Sequence, residues 1–183
     1  MKPIVLKNML PKDLLDGIVE MLQISGEIEH QEEYGRIMYH YTDWDQDTLS
    51  TIENAIQDIV GKKLHRTGAS CVTYDQKYGK PHLPPHFDGD QTNYILDFQV
   101  SSNTDWHIGL DTELYPLSDN DGVLFEPNEN AHWRVHKDFQ EGEFVTMAFI
   151  RFQDPLDMKD YSHKALQMSD PAFDDARAYR DSL

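Results

Sequence analysis

The stretch Ala69–Asp90, ASCVTYDQKYGKPHLPPHFDGD, decides how the chain is read. It opens as a β-type run over Ala69–Tyr74 and passes through a turn signal, YGKP. It closes on His86-Phe87-Asp88. In an extended segment, side chains two residues apart project to the same side. His86 and Asp88 therefore present one imidazole and one carboxylate to a common point.

Downstream the texture continues. Short β-type runs are expected at Asn93–Ser101, Gly122–Phe125, His132–Val135 and Glu143–Phe152. Gly, Pro, Asn and Asp punctuate the gaps (LSDNDG, EPNEN, QEG). That is the pattern of an all-β sandwich or barrel. Upstream the period changes. Leu14, Leu15, Ile18, Val19 and Leu22 predict a helix over Pro11–Gln23, with Pro11 in the first turn and Gly26 as the stop. A strand is expected over Arg36–Tyr41. Leu49, Ile52, Ile56, Ile59 and Val60 predict a second helix over Asp47–Val60, with Asp47 as N-cap and Gly61 as C-cap. Helices first and strands after, without βαβ alternation, imply a helix-buttressed antiparallel sheet and argue against a doubly wound fold. After Phe152 the chain turns polar, so a short helix or two packed outside and a loose end are expected. The simplest organisation is one domain over 1–183, with its core at about 3–152 and a polar extension at 153–183.

Composition narrows the partners. The 183 residues carry 16 Lys+Arg against 33 Asp+Glu, a formal net charge of −17. Duplex nucleic acid and anionic membranes are bound through positive charge, so neither is expected as a partner. A protein, a peptide or a small molecule is. Hydrophobic residues make up 39% and aromatic residues 11%, which suffices for a folded core. The one cysteine, Cys71, can form no intrachain disulfide and belongs to no cysteine cluster for zinc or iron–sulfur; in a β-run it is expected to be buried. No apolar run approaches a membrane span and no signal peptide is read, so a cytoplasmic location is expected.

A third ligand beside His86 and Asp88 would complete a two-histidine, one-carboxylate set. Such a set leaves open positions on a metal and suits non-haem Fe(II). His132 opens a strand 46 residues beyond His86, far enough for the chain to return across a barrel. His136 is its rival, at an even offset along the same strand. Ser118–Gly122 lacks the ligands of a calcium loop and reads as a turn. Trp106, His107 and Trp133 either line a substrate mouth or belong to the core.

Four segments, taken in order, give the chain its family likeness. They are LKNMLPKDLLDGIVEML, CVTYDQKYGKPHLPPHFDGD, DGVLFEPNENAHWRV and EGEFVTMAFIRF. Together they resemble the Fe(II)- and 2-oxoglutarate-dependent dioxygenases, in particular the prolyl-4-hydroxylase-like branch, over roughly Pro3 to Phe152. The resemblance implies a double-stranded β-helix, or jelly roll, with N-terminal helices against one sheet. It implies that His86, Asp88 and His132 bind Fe(II), that 2-oxoglutarate is the cosubstrate, and that the activity is a hydroxylation, with a peptidyl proline as one candidate substrate and ascorbate as a candidate reductant. Tyr74 matches a tyrosine that faces the cosubstrate in relatives. One departure is plain. Relatives carry a basic residue on the closing strand that grips the far carboxylate of 2-oxoglutarate, paired with a Ser or Thr. Here Phe144 stands at that position and Thr146 is kept. A relocated cation is therefore expected. Arg134 comes first, two residues past His132 on the same strand face, and Arg151 second; Lys80 and Lys137 are further possibilities. Two other readings stand beside this one: a cupin-like metalloprotein working without 2-oxoglutarate, and a non-enzymatic binding module on the same fold.

Overall fold

A computed structural model describes residues 1–24, 27–40, 43–88, 92–156 and 174–183. The expected stop at Gly26 and the strand end at Tyr41 lie outside them. Two antiparallel sheets face each other as a jelly roll. The larger has seven strands in the order β1 (Ile4–Leu6), β8 (Gly122–Phe125), β5 (Tyr94–Ser102), β10 (Phe144–Gln153), β4 (His65–Asp75), β3 (Arg36–Tyr39) and β2 (Ile28–Gln31). The smaller has β7 (Glu113–Tyr115), β6 (Ile108–Leu110) and β9 (His132–Arg134). An isolated bridge between His86 and His132 continues the small sheet into the segment that carries His86 and Asp88.

Alternation along the strands sorts the core into two layers. On the outer face of the large sheet, Leu96, Phe98, Ala148, Ile150 and Phe152 pack against Ile18 of α1 (Lys12–Ile24) and Leu49, Ile52 and Ile56 of α2 (Gln46–Val60). Between the sheets, Val72, Tyr74, Ile95, Trp106, Ile108, Val123, Phe125, Val145 and Met147 form the inner layer. A third cluster joins Ala176 and Tyr179 of α3 (Asp174–Asp181) to Trp133 on the back of the small sheet.

Several boundaries differ from the sequence reading, each for a local reason. The α2 N-cap is Asp45, not Asp47: its carboxylate accepts from the Thr48 amide at 2.8 Å and the Thr48 hydroxyl at 3.0 Å. Asp47 sits one position inside the helix, where a carboxylate favours the dipole without capping it. β4 begins at His65, four residues early, because β10 pairs with it as far as Gln153. β2, β6 and β7 have no signal in the sequence. They are three or four residues long, and β2 is an exposed edge without alternation.

Two glycines position the loop that leads to His86. Gly35 has φ 60°, and a Cβ there would come within 2.3 Å of the Pro81 nitrogen. At Gly79 a Cβ would meet the Glu32 carbonyl oxygen at 2.3 Å. Side chains at either point would pry the Glu32–Tyr34 turn off the 79–81 segment.

Candidate metal centre

His86, Asp88 and His132 converge. One ligand atom from each lies within 4.8 Å of the other two. Asp88 Oδ1 is 3.8 Å from His86 Nε2 and 3.6 Å from His132 Nε2, and the imidazole centroids are 3.9 Å apart. Backbone pairing builds the triangle: His86 and His132 exchange N–H···O bonds at 3.1 and 2.9 Å, and the Asp88 amide bonds to Pro127 O at 3.0 Å.

The donor set fits a divalent cation. His86 Nδ1 lies 2.9 Å from Pro84 O, and His132 Nδ1 lies 3.3 Å from Asn130 O. A proton on each Nδ1, donated to these carbonyls, leaves the Nε2 atoms to face the triangle, which is how ligand imidazoles are oriented; in the metal-free chain burial lowers the His132 pKa, but Asp88 beside it raises it above the ordinary value. Asn130 is braced in turn by Asp111 at 2.8 Å. Burial and the neighbouring His132 push His86 down to about 4, so it is neutral near pH 7. Burial alone would raise the Asp88 carboxyl, but its contacts with His132 and His86 hold it at about 2. One carboxylate and two imidazoles leave room for further ligands on an octahedral ion.

The rival ligand is elsewhere. The His136 side chain is 63% exposed and faces Asp138 at 3.7 Å. Trp133 is buried against α3 and Trp106 is buried in the inner layer, so neither lines an open mouth. Cys71 is buried, which pushes its thiol pKa up.

The cosubstrate candidates are split between two faces of the sheet. Thr146 points to the helix side and bonds Thr73 Oγ1 at 2.9 Å; the structure does not bring it to the triad. Phe144 lies beside it, at the wall of a cavity of about 310 Å³ under α1. Arg151 is on the inner face, level with Ile95 and, one strand further, Phe125, whose ring is 5.2 Å from His132. Its charge is felt at Asp88. Tyr74 is also on the inner layer, but six residues along β4 from Gly68, the partner of Arg151. It packs edge-on against Trp106 at 4.7 Å and accepts from Arg36 Nη1 at 2.7 Å. Lys80 and Lys137 pair with Asp138 and Glu143 at the surface.

Arg134 lies between these ends. It is 2% exposed and donates from Nη1 to Trp106 O at 3.1 Å, with its guanidinium 5.2 Å over the Trp106 ring. Its Nη2 is 3.6 Å from Asp97 Oδ2 on β5. Asp97 is a site residue the sequence reading missed. Its signal was there: a lone carboxylate in the apolar run ILDFQV must find a partner once that strand is central. Burial raises Asp97 to about 6, with Arg134 pulling the other way.

No protein-family model matches the chain, and no curated protein matches it in sequence. Solved structures do match in shape. The α-ketoglutarate-dependent non-haem epimerase SnoN from nogalamycin biosynthesis superposes with a TM-score of 0.67 at 10% identity, over 83% of this chain and 76% of that one. HygX from Streptomyces hygroscopicus, with nickel and 2-oxoglutarate bound, gives 0.63 at 8% identity, over 84% and 83%. A Pseudomonas putida prolyl-4-hydroxylase gives 0.58 at 11% identity, over 82% and 91%. At these identities the likeness establishes the fold: the chain has the jelly roll seen in 2-oxoglutarate- and Fe(II)-dependent oxygenases.

Proposed function

We propose that this chain is an Fe(II)- and 2-oxoglutarate-dependent oxygenase, working as a hydroxylase, with His86, Asp88 and His132 as its metal ligands. The observation that carries the reading is the triad, with both Nε2 atoms turned inward by carbonyls on Nδ1. The fold likeness supports it, since HygX holds nickel and 2-oxoglutarate and SnoN has been seen with Fe3+ and α-ketoglutarate.

When bound, the iron and oxo acid would supply oxidising power from O2 through coordinated decarboxylation. The residues of this chain do the rest. His86, Asp88 and His132 would hold the metal. The inner layer around Ile95, Phe125 and Val123 keeps water from the reacting side. Arg151 and Arg134 supply positive charge felt at Asp88 and Asp97, on the inner side of the large sheet. We place the substrate among peptides or small molecules. The P. putida relative is a prolyl-4-hydroxylase and HygX binds hygromycin B, so both classes fit a chamber of this fold. Ascorbate would serve as reductant. Among the described residues no helix is long and apolar enough to cross a membrane.

A second reading has one observation in its favour. Phe144 stands where a basic residue is expected, which suits a cupin-like metalloprotein that works without 2-oxoglutarate. One experiment separates the two. The Fe(II)-loaded chain is given 2-oxoglutarate under air, and succinate is measured. Succinate formation that disappears in Asp88→Ala supports the oxygenase. Metal binding without succinate, with peptide and small-molecule candidates present, supports the cupin-like reading.

A further inference from the structure

Resting on the metal-centre reading, we propose that Asp111 is a positioning residue for the ligand His132. Its carboxylate clamps the loop whose Asn130 carbonyl orients that imidazole, and so sets, from outside the coordination sphere, how tightly the centre holds its ion. Asp111 lies on the turn between β6 and β7, one residue past Leu110, the ladder partner of His132. Its φ is 53°, a left-handed conformation that aspartate enters more readily than most side chains and that persists where the surroundings hold it.

What holds it is a set of bonds to the strand entry around His132. Oδ1 accepts from the Ala131 amide at 2.9 Å, and Oδ2 accepts from Asn130 Nδ2 at 2.8 Å. The Asp111 amide donates to Ala131 O at 2.7 Å, and Asp111 O accepts from Trp133 Nε1 at 3.4 Å. Residues 130, 131 and 133 are thus tied to Asp111, and the His132 side chain between them is left to the triad. Asn130 has a fixed sense in this set. Its Oδ1 accepts from the Glu126 amide at 3.3 Å, so Nδ2 faces Asp111. Its backbone carbonyl, 3.3 Å from His132 Nδ1, is held between these ties. A carboxylate fits position 111 because both of its neighbours are donors and it only accepts. An amide there cannot satisfy both. Its NH2 would meet either the Ala131 N–H or the Asn130 NH2, and a flip of Asn130 would move the conflict to the Glu126 amide. A displaced Asn130 carbonyl would release the His132 ring, and outer partners of ligand histidines are worth about ten- to a hundredfold in metal affinity.

The test exchanges the two side chains. Mn(II) affinity of the full chain is measured by calorimetry, the visible spectrum of the Co(II)-loaded chain reports ligand geometry, and urea unfolding without metal reports stability. Asp111→Asn should weaken Mn(II) by about ten- to a hundredfold and shift the Co(II) bands. Combining it with Asn130→Asp restores every bond: the carboxylate now at 130 accepts from the amide at 111 and from the Glu126 N–H, and the amide oxygen at 111 accepts from Ala131. Mn(II) affinity should then return to within about threefold of wild type, and the Co(II) spectrum with it. Asp121 is the control, a buried carboxylate that clamps the loop before β8 by accepting from the Ser118 and Asn8 amides. Asp121→Asn should lose urea stability and keep Mn(II) affinity. Asp111→Gly takes the left-handed backbone freely and removes both arms, so it should weaken Mn(II) at least as much, which keeps the clamp testable if Asp111→Asn does not fold. Unchanged Mn(II) affinity and Co(II) spectrum in a folded Asp111→Asn or Asp111→Gly, no recovery in the exchanged pair, or an equal loss in Asp121→Asn would overturn the clamp and leave the triad standing. Failure of wild type to bind either ion removes the metal centre and the clamp together.

Discussion

At the scale of single residues, the contest between His132 and His136 shows what spacing can and cannot decide. Both stand at even offsets on one expected strand. The structure separates them because β9 ends at Arg134, so alternation does not extend to His136, whose imidazole is out in solvent. Replacing His132 with Ala should therefore lower Mn(II) or Fe(II) affinity by at least about a hundredfold, while His136→Ala should change it less than about twofold. Calorimetric titration of the metal checks both, and equal losses would mean that the ion sits elsewhere. The triad was legible because His-x-Asp fixes its own geometry in an extended segment. The place of Arg134 on the His132 face of β9 was legible for the same reason, at offset two. Asp97 was only half legible: a lone carboxylate in the apolar run ILDFQV signals a buried partner, but nothing local says that the partner is a cation on another sheet. Thr146 matched by position, but one residue of parity places it on the helix side with Thr73.

At the scale of elements, the long periodic segments were readable and the short ones were not. Both N-terminal helices and β5, β8 and β10 announce themselves through apolar spacing. β6 and β7 are three residues each, and their pairing is imposed by the barrel. The N-cap of α2 lay two residues from where the sequence suggested, since Asp45 and Asp47 are chemically equal and only the chain direction chooses. Asp45→Ala should cost about 1 kcal/mol in urea unfolding, and Asp47→Ala less than about 0.5 kcal/mol. Reversal of that order would return the cap to Asp47. A sharper element-level prediction concerns Gly109 on β6. A Cβ there would lie 2.1 Å from Trp133 Cε2 and 2.4 Å from Cζ2. The Trp133 ring is fully buried and packed on α3, so it has nowhere to move. Gly109→Ala should thus destabilise by about 2–3 kcal/mol or more, as overpacking does, and should loosen α3, seen as faster proteolysis near Asp174–Asp181. A wild-type melting curve for Gly109→Ala would show that this sheet tolerates a shift the packing forbids.

At the scale of the whole molecule, His86, Asp97 and Asp88 shape how stability responds between pH 6.5 and 2, while His132, raised above its ordinary value, acts above that range. In the metal-free chain His86 titrates at about 4 when folded against 6.5 in its ordinary state, so between these values the unfolded chain holds the extra proton. Its contribution is lost as pH falls from about 6.5 to about 4. Asp97 runs the other way. Its folded value of about 6 lies above the ordinary 3.8, so the folded chain holds the extra proton and stability rises as pH falls from 6 to about 3.8. Asp88, at about 2 against 3.8, adds stability above 3.8 that disappears as pH falls toward 2. The first two nearly cancel. Wild-type protein without metal is expected to show a flat stability profile from pH 6.5 to 4 and a decline below it. Removing one partner should uncover the other. Asp97→Asn should lose roughly 1–3 kcal/mol between pH 6.5 and 4, and His86→Asn should gain a comparable amount over the same interval. Urea denaturation at half-unit pH steps, with chelator present, measures both slopes. Slopes of opposite sign in the two variants follow from the opposite shifts of His86 and Asp97. Parallel slopes would mean that at least one of the two groups titrates at its ordinary value in the folded chain.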